Sequence, residues 1–185
     1  MARSQATPTS LSRCRELNQS KASYVVMGVS GSGKTAVGSR LAAALGVEFV
    51  EGDTYHPAAN IKKMSSGSPL TDEDRQGWLR AIAERIRNAN EAGNGVVVSC
   101  SALKRAYRDL LRREAGDVQF VFLRGSRDLI EPRLQARKGH FMPTSLLESQ
   151  LATLEEPVNE EGVWVADISD SPDRIVASLV ARPSA

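Results

Sequence analysis

The sequence is poor in cysteine and aromatic residues and has no long hydrophobic run. Of its 185 residues only two are cysteines, Cys14 in a polar N-terminal stretch and Cys100 at the end of an apolar run. A structural disulfide between them is not expected, and a reducing, cytoplasmic compartment is favoured. No apolar stretch approaches the roughly 18 residues that a transmembrane helix needs, so we expect a soluble protein without a membrane partner. Hydrophobic residues at 41% and charged residues at 25% are typical of a globular chain.

The chain also lacks an excess of charge of either sign. It has 24 basic and 22 acidic residues, and residues 1–21 carry four of the basic residues but one acidic residue. The remainder has a net charge of −1. Such a chain offers no basic field for a phosphate backbone, so nucleic acid is not expected as a partner. We interpret residues 1–21 as a disordered extension, with an organelle transit peptide as the alternative, and residues 22–185 as the folded domain.

Short apolar runs alternate with helix-like stretches from Tyr24 onward. Apolar runs of strand length without polar alternation are typical of strands that are covered on both faces, as in a parallel sheet. The predicted strands are 24–27, 47–50, 96–98, 118–123 and 163–168. The predicted helices are 34–45, 72–91, 102–114, 126–137, 144–154 and 172–181. This order predicts an α/β fold, a doubly wound parallel sheet of five strands with helices on both faces.

A glycine-rich loop lies between the first predicted strand and the first predicted helix. It matches the phosphate-binding pattern G-x-x-x-x-G-K-[ST]. Its residues are Gly28, Val29, Ser30, Gly31, Ser32, Gly33, Lys34 and Thr35. The glycines let successive N–H groups point at phosphate oxygens, at the positive end of the helix. We expect Lys34 to reach the β- and γ-phosphates of ATP, and the Thr35 hydroxyl to be a ligand of Mg²⁺.

The signatures of other phosphate-loop proteins are missing. No N-K-x-D segment is present to read guanine, and the D-x-x-G match at residues 74–77 lies in the first turns of a predicted helix. The third strand ends in Ser99, Cys100 and Ser101, without the carboxylate that motor ATPases place there. These absences favour a kinase for a small molecule, and a non-catalytic nucleotide switch remains the alternative. Phosphoryl transfer needs no thiol, so Cys100 is interpreted as a buried small residue.

Carboxylates follow the second predicted strand. A carboxylate at the C-terminal end of a parallel strand lies in the crevice where such sheets bind ligands. Asp53 would accept or orient the proton of an attacking hydroxyl, and Glu51 would reach Mg²⁺ through water. The alternative for Asp53 is a cap on the following turn.

With these residues in place, the chain resembles the gluconokinases of the shikimate-kinase-like P-loop group, which phosphorylate D-gluconate. The resemblance runs from Tyr24 to about Val180 and covers nearly everything except the N-terminal extension. It rests on the phosphate loop, E-G-D-T-Y-H-P at 51–57, G-S-P-L-T-D-E-D-R at 67–75, S-C-S-A-L-K at 99–104 and R-K-G-H-F-M-P at 137–143. The resemblance implies transfer of the γ-phosphoryl group of ATP to the 6-hydroxyl of gluconate, with Mg²⁺ as cofactor, in a homodimer. A kinase for shikimate, a nucleotide or another small acceptor is the alternative.

Gluconate has one carboxylate and many hydroxyls, so its pocket should contain cations and hydrogen-bonding side chains. By this resemblance, the residues expected to contact gluconate are Asp53, His56, Arg75, Lys104 and Arg108. Arg75 is similar to the acceptor-binding arginine of shikimate kinases, and arginine binds carboxylates in a planar fork. Each cationic candidate has an ordinary alternative: a helix cap for His56 and a solvated helix surface for the others.

Two arginines precede a segment that we interpret as a mobile lid. Arg133 and Arg137 are four residues apart, and an apolar-aromatic stretch bracketed by Gly139 and Pro143 follows them. A lid of this kind would close over the nucleotide and exclude water. Arg137 would then neutralise charge on the transferred group, and Arg133 would stack on adenine or contact phosphate. The alternative is that both are solvated basic residues of a helix.

Overall fold

A computed structural model of the protein describes residues 22–136 and 144–182. The strands are β1 (Tyr24–Met27), β2 (Glu48–Glu51), β3 (Val96–Ser99), β4 (Gln119–Arg124) and β5 (Val163–Asp167). The helices are α1 (Lys34–Leu45), α2 (Ala58–Ser65), α3 (Asp72–Glu91), α4 (Arg105–Ala115), α5 (Arg127–Gln135), α6 (Thr144–Thr153) and α7 (Pro172–Val180), with a 3₁₀ helix at Gly52–Tyr55. Every predicted strand and helix is present, and the sequence pattern predicts no range for α2 or for the 3₁₀ helix.

The strands form one parallel sheet in the order β2-β3-β1-β4-β5. In the central strand, Val25 pairs with Val98 of β3 on one side and with Phe120 of β4 on the other. At the carboxyl edge, Glu51 of β2 lies beside Ser99 of β3. The predicted five-stranded parallel α/β fold is confirmed. The segments that follow β1, β2 and β3 therefore meet at one edge, where sheets of this kind bind ligands.

Alternate residues of each strand enter two separate core layers, one on each face of the sheet. In β1, Val25 and Met27 belong to the layer that contains Ile82 of α3. Val26 belongs to the opposite layer, which contains Leu41 of α1. Successive side chains of a strand point to opposite faces, so an entirely apolar strand needs helices on both sides.

Helix α3 shows how the local sequence specifies an element. The Thr71 hydroxyl accepts a hydrogen bond from the Asp74 N–H at 3.3 Å, and the Asp74 carboxylate accepts one from the Thr71 N–H at 2.9 Å, which is a capping box. Leu79, Ile82 and Ile86 recur at three- and four-residue spacing along this helix, and all three are buried. In the ranges that the structure describes, no helix is both long enough and apolar enough to span a membrane.

The segment after β2 depends on a close approach that only glycine allows. A Cβ on Gly52 would lie 2.1 Å from the carbonyl oxygen of Ser99. The Gly52 carbonyl accepts a hydrogen bond from the Trp78 indole at 2.8 Å, so the 3₁₀ helix is fixed to α3. The following helix α2 buries Asn60 alone among its residues, which explains why its sequence shows no apolar stripe.

Two predicted features lie outside the described residues. One is the N-terminal extension, residues 1–21, and the other is residues 137–143, which include Arg137, Gly139 and Pro143. The lid and the role of Arg137 therefore stay predictions.

Candidate active site

The phosphate loop joins β1 to α1 through backbone conformations that suit glycine. Gly28 has a φ of 143°, and a Cβ there would lie 3.0 Å from the Leu123 carbonyl oxygen. Gly33 caps α1 in the left-handed conformation, with a φ of 97°. The Gly28 N–H donates to the Ser101 carbonyl at 3.3 Å and connects the loop to the end of β3. The loop thus lies directly before the positive end of α1, as a phosphate-binding loop must.

Two hydrogen bonds hold polar groups of this loop. The Lys34 ammonium donates to the carbonyl oxygen of Val29 at 3.0 Å, across the loop. The N–H of Ser30 donates to Oε1 of Gln150 at 2.7 Å. The sequence pattern assigns no role to Gln150, because its partner lies 120 residues away and such a contact leaves no local signal.

A hydroxyl and a carboxylate meet beside the start of α1. Thr35 Oγ1 donates to Glu51 Oε2 at 2.8 Å, and Ser99 Oγ donates to the other oxygen of the same carboxylate. Oxygen ligands of this kind suit Mg²⁺, which in nucleotide sites is held by one or two side chains together with phosphates and water. The donor set fits a nucleotide-bound Mg²⁺. Within the described residues no group of three or more His, Cys, Asp or Glu side chains is placed to hold a metal ion.

A cleft beside the phosphate loop brings predicted residues of both substrates together. It is lined by Ser30, Lys34, Asp53, His56, Met64, Pro69, Leu70, Arg75, Ser101, Ser149 and Gln150. Asp53, His56 and Arg75 thus share one cleft with Lys34. A phosphoryl donor bound at Lys34 would face an exposed carboxylate and two nitrogen-bearing side chains.

The imidazole of His56 is packed flat against Trp78. The ring centroids are 4.2 Å apart with an interplanar angle of 16°, and His56 is 7% exposed. The Asn60 side-chain nitrogen lies 3.5 Å from His56 Nδ1, and it also donates to the Asp74 carbonyl at 2.7 Å. An amide nitrogen is a donor, so this contact favours the tautomer in which Nδ1 accepts and the imidazole proton lies on Nε2. The proposed capping role does not apply, since α2 has Pro57 as its N-cap and no side-chain cap.

The charge state of His56 follows from its surroundings. Burial lowers the pKa of His56, Asp53 opposes this shift, and the positive charge of Arg75 adds to it. The net direction is downward from a value near 6.5. His56 is therefore neutral near pH 7 and offers an Nε2–H donor.

Arg75 is the half-buried guanidinium of the cleft. It lies over the ring of Tyr107, 5.9 Å from the centroid, in a cation–π contact. Within residues 22–136 and 144–182 it makes no salt bridge. Its positive charge lowers the pKa of the nearby Asp72, but the guanidinium is held by an aromatic ring and not by a salt bridge to a described residue, which suits a substrate carboxylate.

Lys104 belongs to a network beside the cleft, and the structure does not place it in the cleft wall. Its ammonium donates to both oxygens of Asp72 at 2.8 Å, and the Tyr107 hydroxyl donates to the same carboxylate at 2.5 Å. The bonds from Lys104 and Tyr107 lower the pKa of Asp72, and burial together with the Asp72 bond raises the pKa of Tyr107. Because this network holds the ring under Arg75, it supports the cleft from behind. Contact of Lys104 with substrate stays a prediction.

The structure does not bring Arg108 into the cleft, and its contact with substrate stays a prediction. Arg108 is 1% exposed, and its Nε and Nη2 donate to Glu160 at 3.0 and 2.6 Å. Its Nη1 donates to the carbonyl oxygens of Ala102 and Leu103, both at 3.1 Å. Burial alone would raise the pKa of Glu160, but hydrogen bonds from Arg108 and Arg112 lower it overall. The Arg108 guanidinium is thus fully engaged inside the protein and connects α4 to the segment before β5.

Arg133 connects two elements near the carboxyl edge of the sheet. Its Nη2 donates to the carbonyl oxygen of Ile168, directly after β5, at 2.9 Å. It is not among the described residues that line the cleft. Its contact with adenine or phosphate stays a prediction.

Cys100 is confirmed as a buried residue. It is 0% exposed, and burial raises the pKa of its thiol to about 12. A thiol of this kind is not ionised at neutral pH and does not act as a nucleophile.

Known proteins resemble the chain over most of its length. A family model described as an AAA domain matches residues 24–157. The chain is 50% identical to a gluconokinase of Gluconobacter oxydans strain 621H over 156 residues. The matched stretch covers 84% of this chain and 88% of that protein. It is 47% identical over 158 residues to the thermoresistant gluconokinase of Escherichia coli K12, with 85% and 90% covered. Among solved structures, a gluconokinase from Sinorhizobium meliloti 1021 matches with a TM-score of 0.79 and 51% identity, over 89% of this chain and 92% of that one.

Proposed function

The chain belongs to the gluconokinase family, and from this premise we propose that it transfers the γ-phosphoryl group of ATP to the 6-hydroxyl of D-gluconate. The observation that carries the proposal is the cleft in which Lys34 of the phosphate loop faces Asp53, His56 and Arg75. The products are 6-phosphogluconate and ADP.

The nucleotide half of the site is the loop and the start of α1. The loop N–H groups after Ser30 would bind phosphate oxygens, and Lys34 would leave the Val29 carbonyl to bind the terminal phosphates. Thr35 would hold Mg²⁺ directly and Glu51 would hold it through water. When bound, the metal supplies positive charge to the phosphate oxygens.

The acceptor half consists of side chains on the other wall of the cleft. Arg75 would bind the gluconate carboxylate, and His56 Nε2–H would donate to a hydroxyl. Asp53 lies on the exposed 3₁₀ helix, where its carboxylate would accept the hydrogen bond of the 6-hydroxyl. In the transfer, O6 forms a bond to phosphorus as the bond from phosphorus to the bridging oxygen of ADP breaks. The O6 proton goes to Asp53, while Lys34 stabilises the charge that develops on the phosphates.

The activity is tested by measuring ADP release from ATP and Mg²⁺ with gluconate, other sugar acids, shikimate and nucleoside monophosphates. We expect gluconate to give the highest kcat/KM, and ³¹P NMR to show a phosphate monoester on the primary carbon. A higher kcat/KM with another acceptor would replace gluconate in this proposal. ATP hydrolysis that no acceptor stimulates would favour the nucleotide switch.

The metal site has a separate test in Glu51→Gln. The amide keeps the size of the side chain but removes its charge, so the Mg²⁺ concentration for half-maximal activity should rise several-fold. Glu48→Gln is the matched control, because Glu48 lies on the same strand and pairs with Arg85 at the surface. Equal Mg²⁺ dependence in the two variants would remove Glu51 from the metal site.

We further propose a cytoplasmic homodimer, on the strength of the family resemblance. Light scattering coupled to size-exclusion chromatography should give about twice the 20.0 kDa chain mass. A monomeric mass in the active preparation would contradict the dimer.

A further inference from the structure

One polar contact joins the phosphate loop to helix α6. Neither this contact nor α6 has a role in the proposed transfer. The Ser30 N–H donates to the side chain of Gln150 on α6 at 2.7 Å, in a partly buried position. A backbone N–H is a donor, so the atom it meets must be the amide oxygen. The orientation of the Gln150 amide is thereby fixed, and its NH₂ group lies on the other side.

Helix α6 is itself anchored, so the position of Gln150 is determined by packing. Leu147 on the same helix is 1% exposed and belongs to the core layer of α1 and α7. Leu151 on the same helix packs against the same layer. The packed helix holds the backbone of Gln150 and Ser30 holds its amide oxygen, so the Gln150 side chain has little conformational freedom.

The remaining group of Gln150 is a pair of N–H donors beside the acceptor residues. Gln150 lines the same cleft as Asp53, His56 and Arg75. Within the described residues its Nε2 has no hydrogen-bond partner. A polyol presents several hydroxyl oxygens, and an oriented amide N–H₂ is a suitable donor to one of them.

We propose that Gln150 is a specificity-determining residue that donates a hydrogen bond from Nε2 to a hydroxyl oxygen of the sugar-acid chain. This inference rests on the proposed function and deepens it. The same amide contacts the phosphate loop through Oε1, so it sets the distance between the acceptor chain and the phosphoryl donor. A site that hydrogen-bonds a substrate hydroxyl also discriminates against analogues that lack it.

The first experiment compares wild type with Gln150→Ala and Gln150→Met, the latter of similar length but without hydrogen bonds. We expect the gluconate KM to rise about tenfold, as for loss of one hydrogen bond in a largely desolvated site, with the ATP KM changed less than about twofold. Glu148→Gln is the matched control on α6, because it breaks the surface pair with Arg127 but does not face the cleft. Its gluconate KM should stay at the wild-type value. Thermal unfolding of each variant checks that α6 remains packed.

The second experiment identifies the bonded oxygen with 2-, 3-, 4- and 5-deoxygluconate. The analogue that lacks the bonded hydroxyl should have the same kcat/KM with wild type and with Gln150→Ala, because it cannot form the hydrogen bond with either protein. For each of the other three analogues, kcat/KM should be about tenfold lower with Gln150→Ala than with wild type.

Three outcomes overturn the inference. The first is an unchanged gluconate KM in both Gln150 variants. The second is a loss of kcat/KM in Gln150→Ala that is equal for all four analogues. The third is a lower ATP KM in Gln150→Ala, which would show that Gln150 competes with phosphate for the Ser30 N–H instead of binding the acceptor. Wild-type enzyme that does not phosphorylate gluconate would instead overturn the proposed function itself, so the two failures are distinct.

Discussion

The two walls of the cleft are built from different kinds of groups. The nucleotide wall is one continuous loop, residues 28–35, whose donors are mostly backbone N–H groups between a buried strand and a helix. The acceptor wall consists of side chains from separate elements. Asp53 lies on the 3₁₀ helix and Arg75 on α3, and His56 follows the 3₁₀ helix and packs on Trp78.

This difference affects how each wall is held in shape. A backbone donor is oriented by the strand and helix that flank it, and it loses no side-chain freedom on binding. A long side chain must be oriented by neighbours, as Arg75 is by Tyr107. We therefore expect changes in the nucleotide wall to affect catalysis with every acceptor, and changes in Arg75 or His56 of the acceptor wall to affect chiefly the gluconate KM. Asp53 is the exception in that wall, because it would take the proton and its loss would lower kcat.

The largest effect should come from Lys34, the one charged side chain of the nucleotide wall. Lys34→Ala removes the cation at the terminal phosphates but leaves the glycine backbone, so kcat should fall about a hundredfold or more. Steady-state rates with gluconate measure this loss. Lys34→Arg keeps the charge with a different geometry and should retain more activity than Lys34→Ala. Near-normal turnover in purified Lys34→Ala would contradict its assigned role.

Asp53 should separate chemistry from nucleotide binding. Asp53→Asn keeps the size of the side chain but cannot take a proton, so kcat should fall by about a hundredfold or more. Its affinity for an ATP analogue, from isothermal titration, should change less than about threefold. Thr54→Ala is the control, since it removes the turn-stabilising bond to the Glu51 carbonyl without touching the carboxylate. A parallel collapse of ATP affinity in Asp53→Asn would make Asp53 a metal or structural residue.

Two arginines sharpen the comparison further, because Arg75 lies in the cleft and Arg108 is buried. Arg75→Ala should raise the gluconate KM at least tenfold, leave the ATP KM nearly unchanged and have little effect on the free energy of unfolding. Arg108→Ala should lower the free energy of unfolding by about 3 kcal/mol, the lower end for a broken buried pair, because Glu160 loses one partner inside the protein but keeps Arg112.

Each arginine has a control on its own helix. Arg80 on α3 and Arg105 on α4 are solvent-exposed and make surface ion pairs at 3.8 and 3.6 Å. Their replacement by Ala should change the free energy of unfolding by less than about 1 kcal/mol. Denaturant unfolding and steady-state kinetics on all four variants decide the assignment. A gluconate KM that rises in folded Arg108→Ala as much as in Arg75→Ala would contradict it.

The smallest predicted effect is the pH dependence of stability due to His56. Its pKa is lower in the folded protein than the unfolded value of about 6.5, so acid favours the unfolded chain. The contribution of neutral His56 to the free energy of unfolding is complete above the unfolded pKa, and it decreases as the pH falls toward the folded pKa. Between pH 7 and pH 5, wild type should lose stability relative to His56→Gln, by at most about 1.4 kcal/mol per pH unit. Parallel pH profiles of the two proteins, from denaturant unfolding, would contradict this account.

Helix α4 illustrates what the sequence leaves open about two of the candidate residues. Lys104 and Arg108 are four residues apart, which predicts one helix face, but α4 begins at Arg105 and Lys104 is its N-cap in an extended conformation. The two side chains therefore diverge, Lys104 to Asp72 and Arg108 to Glu160. No local pattern marks Glu160 as the partner of Arg108, since 52 residues separate them.

The sequence by itself determined the features whose physics is local. The alternation of apolar runs and amphipathic helices specified the α/β sheet, and residues 28–35 specified the phosphate loop, because adjacent residues supply every group involved. Only the tertiary structure decided which distant side chains share a cleft or a hydrogen bond. The contacts of Gln150 with Ser30 and of His56 with Trp78, and the burial of Arg108, depend on how separate elements pack, and a residue's neighbours along the chain do not encode that packing.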